Sequence, residues 1–264
     1  MKRISLFLFV ALVFTSCSSV LITGRKQLLL VSDAEVLSMS ATAYKQFIDS
    51  VPVSKNVANS AMVKKVGLKI STEVEKFLIN NGAAADTANY AWEFSLVKDT
   101  TVNAFCMPGG KVVFYEGILP MTKTEAGMAV VMGHEIAHAV AKHSNERMSQ
   151  QMIAQYGASI TDVLLSNKPA ATRQTINVLY GLGAQVGVIL PYSRKHEYEA
   201  DRLGLIFMAM AGYNPQQAVS FWQRMAEMKG GQAPPEFIST HPSDATRIEQ
   251  IKKWLPEAMT YYSK

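Results

Sequence analysis

The sequence lacks a disulfide framework, a basic run and, after its first residues, any long apolar run. Its two cysteines are Cys17 and Cys106, and if the first is acylated the second has no partner in the chain. Charged residues make up 18% and hydrophobic residues 48% of the chain, which excludes a disordered or multi-span protein. The net charge is +5, or about +3 without Lys2 and Arg3, and no RNA-binding motif accompanies it, so a nucleic-acid partner is excluded.

The first residues are typical of a secretory signal. Lys2 and Arg3 precede an apolar stretch from Leu6 to Phe14, which is too short to span a membrane. Small residues and then Cys17 follow, as in bacterial lipoprotein precursors. We predict a lipoprotein-type signal segment over residues 1–17 that is removed, with lipidation at Cys17 anchoring a soluble domain to a membrane surface. Ordinary secretion, with Cys17 incidental, is the alternative.

The rest of the chain indicates a small sheet followed by helices. Residues 18–32 are predicted to form a tether and residues 33–264 a single domain. A second amphipathic helix is expected from Asn56 to Ile79. "NYAWEFSLVKD" alternates like a strand, and "TVNAFCMPGGKVVFYEGIL" indicates strand, turn and strand. From Lys123 onward the pattern is almost wholly helical, so the predicted fold class is α+β, predominantly helical.

One apolar segment, Ile176 to Leu190, has two interpretations. It is short for a membrane span, and Asn177 and Gln185 interrupt it. We expect a buried helix or a gate over a cleft, and contact with a membrane surface stays open.

The central motif is H-E-x-x-H, formed by His134, Glu135 and His138 within "VVMGHEIAHAVAKHS". Polar groups on an apolar face cost several kcal/mol unless something satisfies them. Positions four apart lie about 40° apart on a helix, so both imidazoles face the same way and suit one zinc ion. Glu135 is then placed to act on a metal-bound water. His143 lies about 140° further round the helix and is predicted to be a solvated helix-end residue instead.

A third ligand is expected in "PYSRKHEYEADRLGLIFMA". Glu197 and Asp201 are four residues apart and share one helix face. A zinc-binding Glu197 would leave Asp201 to accept the spare ring N–H of a zinc-bound histidine, which fixes its tautomer. A solvated helix face is the alternative for such a pair alone, and the nearby H-E-x-x-H favours the ligand interpretation.

These motifs resemble the HExxH zinc metallopeptidase family of the CAAX prenyl protease and HtpX type, and most of all its soluble BepA-like and OMA-type members. H-E-I-A-H is followed by S-R-x-x-E-x-x-A-D, and the stretches "NAFCMPGGKVVFYEGIL" and "THPSDATRIEQI" agree. The likeness covers roughly Asn103 to Ile251. It implies a gluzincin-type domain with a small sheet and an HExxH active-site helix, endoproteolysis as the activity, and Glu197 as the third zinc ligand.

The chemistry assigns roles to the remaining residues. Zinc lowers the pKa of its bound water toward about 7, and Glu135 takes the proton as general base. His241 and Arg247 are candidates for stabilising the tetrahedral oxygen. His241 is equally suited to occupy the open zinc position as a latch, or to a purely structural role before Pro242, and Arg247 to a structural ion pair.

We therefore expect a membrane-anchored zinc endopeptidase with one zinc per chain. It would act on unfolded or misfolded envelope proteins. The β-hairpin predicted in "FCMPGGKVVFYEG" would hold them by edge-strand pairing. The expected location is the bacterial cell envelope, on the periplasmic side, lipid-anchored at the outer membrane. The alternative is a chaperone-like or scaffold lipoprotein whose site is latched by His241 or by residues 176–190. A purely structural zinc site is disfavoured because the protein ligands look one short, as catalysis requires.

Overall fold

The computed structural model describes residues 17–184, 190–228, 237, 241 and 245–263. The chain divides into two compact units, one with residues up to Asp33 and Lys142–His196, the other with Ala34–Ala141 and Glu197–Lys264. The predicted boundaries, with one domain over 33–264, stay predictions, because compact units of a chain are not by themselves independent folding domains.

Short strands precede a long series of helices. This order confirms the predicted α+β, predominantly helical class. In chain order the elements are β1 (Cys17–Ser19), β2 (Lys26–Leu28), α1 (Asp33–Ser50), α2 (Val57–Asn80), α3 (Ala84–Thr87), β3 (Glu93–Val97), β4 (Ala104–Met107), β5 (Lys111–Tyr115), α4 (Leu119–Thr122), α5 (Glu125–Val140), α6 (His143–Leu164), α7 (Ala170–Ala184), α8 (Leu190–Met210), α9 (Gln217–Glu227) and α10 (Ala245–Met259).

In the first unit, a partly buried ion pair fixes the β1–β2 hairpin to α6. The Arg25 guanidinium donates to both carboxylate oxygens of Glu146, at 2.9 and 2.8 Å. His196 Nε2 lies 2.9 Å from Glu146 Oε2. Burial alone would raise the pKa of Glu146, but the hydrogen bonds from His196 and Arg25 outweigh it and lower that pKa. The carboxylate therefore stays charged and holds the hairpin and the helix together.

In the second unit, three strands form a sheet in the order β3-β5-β4. β3 runs parallel to β5, and β4 pairs antiparallel on its other side, so β4 is an edge strand. Val112, Val113 and Phe114 of the central strand are fully buried. This continuous apolar run is typical of a strand covered on both faces.

Helix α5, which carries the H-E-x-x-H motif, is buried over most of its length. It begins after Thr124, whose side chain accepts a hydrogen bond from the N–H of Gly127 at 3.1 Å. Helix α2 packs against it and buries Val63, Val66 and Ile70. This spacing of three and four residues places the apolar side chains on one face, and so explains the expected amphipathic helix.

Helices α5 and α8 cross at a pair of glycines. A Cβ atom on Gly204 would lie 2.8 Å from the backbone N of His134, and one on Gly133 would lie 2.7 Å from Gly204 O. Both contacts are with backbone atoms, so a side chain at either position would force the helices apart, and glycine is required at both. The crossing brings the face of α5 that carries His134 next to the face of α8 that carries Asp201.

The apolar segment predicted as a buried helix or gate is helical but not buried where it is described. Helix α7 covers its first part, and Val178 and Leu179 are 56% and 62% exposed. The expectation of a buried helix is therefore wrong for these residues. Residues 185–189 lie outside the described part. Among the described helices, none combines the length and the apolar character needed to cross a membrane.

We predict that Gly204→Ala separates α5 from α8 and disturbs the site between them. The added methyl group meets backbone atoms, so the free energy of unfolding should fall by about 1–3 kcal/mol, and the zinc content should fall with it. Thermal denaturation and metal analysis measure both. Gly181→Ala is the control, because its Cβ meets nothing within 4 Å and should stabilise the helix by about 0.5–1 kcal/mol. Equal stability and zinc content in Gly204→Ala and the wild type would contradict the prediction.

Candidate metal centre

The three zinc ligands predicted from the sequence lie together. The Nε2 atoms of His134 and His138 are 3.1 Å apart. The two carboxylate oxygens of Glu197 lie 3.4 Å from these nitrogens, one from each. Ligand atoms about 2.0–2.2 Å from a tetrahedral zinc ion are about 3.3 Å from one another. The donor set therefore has the spacing that one zinc ion requires.

His241 occupies the place of a fourth ligand. Its Nδ1 lies 3.0 Å from His134 Nε2 and 2.9 Å from Glu197 Oε2. The donor atoms of all four residues lie within 4.8 Å of one another, and the His241 side chain is 12% exposed. Catalytic zinc sites keep the fourth position for water, so this arrangement favours the latch among the roles expected of His241. Its neighbours Thr240 and Pro242 lie outside the described residues.

Asp201 lies behind the ligands and contacts the other ring nitrogen of His134. The distance from His134 Nδ1 to Asp201 Oδ1 is 2.9 Å. A carboxylate at this place accepts the Nδ1–H and leaves the lone pair of Nε2 directed at the donor cluster. Burial alone would raise the pKa of Asp201, but the Arg247 charge and the His134 hydrogen bond outweigh it and lower that pKa.

Arg247 is buried, with 1% of its side chain exposed, and holds Asp201. Its Nε and Nη2 donate to the two Asp201 oxygens at 2.6 and 2.7 Å, while Nη1 donates to His241 O at 3.1 Å. Its guanidinium carbon lies 3.6 Å from the ring centroid of Trp222. Because the Arg247 nitrogens are engaged in these hydrogen bonds, the contacts favour a positioning role. They disfavour the role expected from the sequence, which was to stabilise the tetrahedral oxygen. No motif in the sequence pointed to Trp222.

Glu135 combines one held and one unsatisfied oxygen. Its Oε2 accepts the N–H of Cys106 at 3.1 Å. Its buried Oε1 has no hydrogen-bond partner in the described part of the chain, and lies 3.5 Å from His241 Nε2. Burial raises the pKa of Glu135 against the lowering effect of His241 and His134. An unsatisfied buried oxygen is costly and marks a place where another group binds.

The charges buried at this site favour a dication. Among the described residues, the carboxylates of Glu135, Glu197 and Asp201 face one buried guanidinium, that of Arg247. If all are ionised, two negative charges remain, which a zinc ion would balance. Burial lowers the pKa of His134, yet hydrogen bonds to Asp201 and Glu197 outweigh it and raise that pKa to about 9. Positive charge is thus stabilised at the donor cluster.

His138 differs from His134 because its carboxylate contacts do not offset its burial. Burial lowers the pKa of His138 to about 3, although the charge of Glu197 raises it in part. A ring that stays neutral keeps a lone pair for a metal ion.

The edge strand β4 faces the site with its outward backbone groups. Asn103 O accepts from Tyr115 N, so residue 103 faces β5, and Ala104 and Cys106 face away from it. The N–H of Ala104 donates to the Asn103 side chain at 2.9 Å, and that of Cys106 donates to Glu135. The sequence indicated an edge strand but not these two bonds.

His143 lies apart from the donor cluster, and its predicted solvation is wrong. It is fully buried in the first unit, and its ring stacks on that of His196 with centroids 4.2 Å apart. Helical spacing shows only that His143 faces away from the other histidines, and cannot show what covers it.

Comparison with known proteins gives one family and several relatives. The family model described as Peptidase family M48 matches residues 67–255. The chain is 44% identical to the mitochondrial metalloendopeptidase OMA1 of Schizosaccharomyces pombe, over 67% of this chain and 50% of that protein. It is 28% identical to the mitochondrial metalloendopeptidase OMA1 of Homo sapiens, over 96% of this chain and 48% of that protein. A putative beta-barrel assembly-enhancing protease of Vibrio cholerae is 31% identical over 65% of this chain and 36% of that protein.

These matches confirm three predictions. The resemblance to the HExxH metallopeptidases with OMA-type and BepA-like members is confirmed by the family match and the relatives. The peptidase class is confirmed by the family match, and the OMA1 relatives are metalloendopeptidases by name. Zinc as the cofactor is confirmed by the family and by the donor cluster. The chain spans about half the length of the OMA1 relatives it matches.

The predicted location is wrong. The sequence indicated the bacterial cell envelope, on the periplasmic side and lipid-anchored at the outer membrane, whereas the OMA1 relatives are mitochondrial by name. The expectation rested on a basic and apolar leader. Such leaders are shared by several kinds of targeting segment, so their composition does not decide the compartment.

We predict that Asp201→Asn weakens zinc binding by about 10–100-fold, because the amide no longer fixes the His134 tautomer. The change also removes the carboxylate charge that holds the buried Arg247, so stability should fall by about 3–5 kcal/mol. Titration against a chelator and thermal denaturation measure the two effects. Glu257→Gln is the control, since it breaks a half-exposed pair with Arg202 outside the site and should cost at most about 1 kcal/mol. Wild-type zinc affinity in Asp201→Asn would contradict the role of Asp201.

Proposed function

Because the chain belongs to peptidase family M48, we propose that it is an active zinc endopeptidase that hydrolyses unfolded or misfolded proteins. The observation that carries the proposal is Glu135, whose buried Oε1 has no partner in the described residues and points toward the donor cluster. When bound, zinc supplies a Lewis acid and a water of lowered pKa. His134, His138 and Glu197 would hold it.

Each remaining residue has a task at a stated atom. Glu135 takes a proton at Oε1 and delivers it to the departing amine, a role that its raised pKa suits, because the carboxyl must both gain and lose a proton near neutral pH. Asp201 holds the Nδ1–H of His134, and Arg247 holds Asp201. Proton transfer is thereby kept on Glu135, and the histidine stays a ligand.

The edge strand supports an extended and unfolded substrate. The outward groups of β4 offer main-chain hydrogen bonds, which read little of the substrate's sequence. The N–H of Cys106 already donates to Glu135 Oε2. A substrate carbonyl that accepts this N–H would replace Glu135 there, and so would release the carboxylate when a peptide is in place. Substrate pairing and activation of the base are coupled in this proposal.

The position of His241 favours a second function, a chaperone-like or scaffold protein with a latched site. His241 Nδ1 lies where a fourth ligand would be, within 2.9–3.0 Å of two of the other donors. In a latched site the water position is taken, and cleavage requires His241 to leave. The two functions differ in whether His241 leaves in solution.

We predict that Glu135→Gln retains one zinc per chain and loses casein cleavage by about 10²–10⁴-fold, because the amide cannot transfer a proton. Metal analysis and cleavage rates are measured together, with the exposed Glu249→Gln as control. Cleavage by Glu135→Gln at the wild-type rate would contradict the role of Glu135. One zinc but no cleavage in either protein would favour the latched scaffold, and absence of zinc from both would contradict the metal site.

We predict that His241→Ala raises the rate of casein cleavage, by about tenfold if His241 occupies the zinc in nine molecules of ten. Zinc content should stay at one per chain, since three ligands remain. The measurement is the initial rate per bound zinc. A fall in rate would assign His241 to stabilising the tetrahedral oxygen, and an unchanged rate would leave it a structural role.

Lipidation of Cys17 stays a prediction from the sequence. The described structure begins at this residue, as the first of β1. Mass spectrometry of the mature N-terminus tests it, through the mass of an acyl group on Cys17.

A further inference from the structure

An apolar stripe covers one face of helix α6, which packs with α7 as a helical hairpin. On α6 it comprises five side chains that are 48–77% exposed. At 100° per residue these five lie within an arc of about 100°. Helix α7 exposes two more, Val178 and Leu179, so the two helices carry seven of the thirteen exposed large apolar side chains among the described residues. The stripe on α6 is Ile153, Tyr156, Ile160, Val163 and Leu164.

The hairpin around the stripe has almost no charge. Residues 148–184 contain three charged side chains, Asp162, Lys168 and Arg173. Two of them pair with each other, with Arg173 Nη1 lying 3.8 Å from Asp162 Oδ1. Helices that face water normally carry charged residues opposite their apolar face. A large exposed apolar patch without them marks a surface that contacts another molecule or a membrane.

The charge of the first unit favours a negatively charged partner. Residues 17–33 and 142–196 contain eight Lys and Arg against three Asp and Glu, a net charge of +5. Residues 34–141 and 197–264 contain sixteen Lys and Arg against eighteen Asp and Glu, a net charge of −2. The basic charge is therefore concentrated in the unit that carries the stripe. Each Lys or Arg near an anionic lipid surface adds to the attraction.

The lipid attachment predicted from the sequence falls in the same unit. Cys17 is the first residue of β1. The segment after β2 is bonded to α6, since Leu30 N donates to Ser149 Oγ at 2.8 Å and the Asn145 amide donates to Val31 O at 2.9 Å. A lipid on Cys17 and the apolar stripe would thus belong to one unit.

We propose that the apolar stripe lies on an anionic lipid surface. On α6 the stripe is about 17 Å long, roughly half the hydrocarbon thickness of a bilayer, so it suits a helix in the interface and not a spanning one. A second copy of the chain fits less well. Helix pairs set their register with charged residues beside the apolar seam, and this hairpin offers one internal ion pair there.

The first test compares vesicle binding by the full-length chain and two variants. The double substitution Val163→Gln and Leu164→Gln changes the most exposed residues of the stripe, at 72% and 77%, and should leave the fold intact. We expect binding to vesicles of phosphatidylcholine with phosphatidylserine to fall at least about tenfold, and wild-type binding to be weaker on phosphatidylcholine alone. Val57→Gln with Leu68→Gln is the control, because both residues are exposed on α2, and should bind like the wild type.

The second test places a reporter on the stripe. Leu164→Trp should be quenched by brominated phosphatidylcholine mixed with phosphatidylserine, and Val57→Trp should not be quenched beyond the wild type. Absence of extra quenching, or equal vesicle binding by the stripe variant and its control, would overturn the proposal. If the stripe variant instead abolishes a dimer in sedimentation, the stripe is an interface between two copies and the lipid assignment is wrong.

Discussion

The Asp201 carboxylate is the contact on which the metal centre depends. One of its oxygens meets both His134 Nδ1 and Arg247 Nη2, and the other meets Arg247 Nε. Through these bonds α5, α8 and α10 are fixed to one another, and Trp222 of α9 covers the guanidinium. The same group sets a tautomer, neutralises a buried cation and aligns three helices. A buried charge with several partners is well defined in position, because every alternative leaves a charge unpaired.

The sequence predicts those parts of the site that helical geometry determines locally. His134 and His138, like Glu197 and Asp201, are four residues apart, so a shared face follows from the helix alone. The approach of His241 to Glu197 depends on packing between distant segments, and spacing supplied only a set of candidates. The predictions that Val178 lies in a buried helix and that His143 is solvated were wrong for a related reason. Periodicity tells which face of a helix is apolar, but not whether another element covers it.

Glu135 shows how one residue joins the metal centre to the sheet. Its backbone belongs to α5, yet one carboxylate oxygen accepts the N–H of Cys106 on the edge strand. The strand's register against β5 therefore determines where the carboxylate lies relative to the donor cluster. A one-residue slip of β4 would turn that N–H toward β5. Precision at the site is thus a property of sheet pairing as much as of the helix that carries the motif.

The crossing at Gly133 and Gly204 has a mechanical consequence. Where side chains separate two helices, substituting those side chains shifts the helix axes by fractions of an ångström. Here backbone meets backbone, so the closest approach is set by van der Waals radii that no substitution elsewhere in the core can change. The crossing works as a fixed stop. Substitutions in the surrounding core therefore do not change the distance between the helices that carry the ligands. The core can vary in sequence while the metal geometry stays the same.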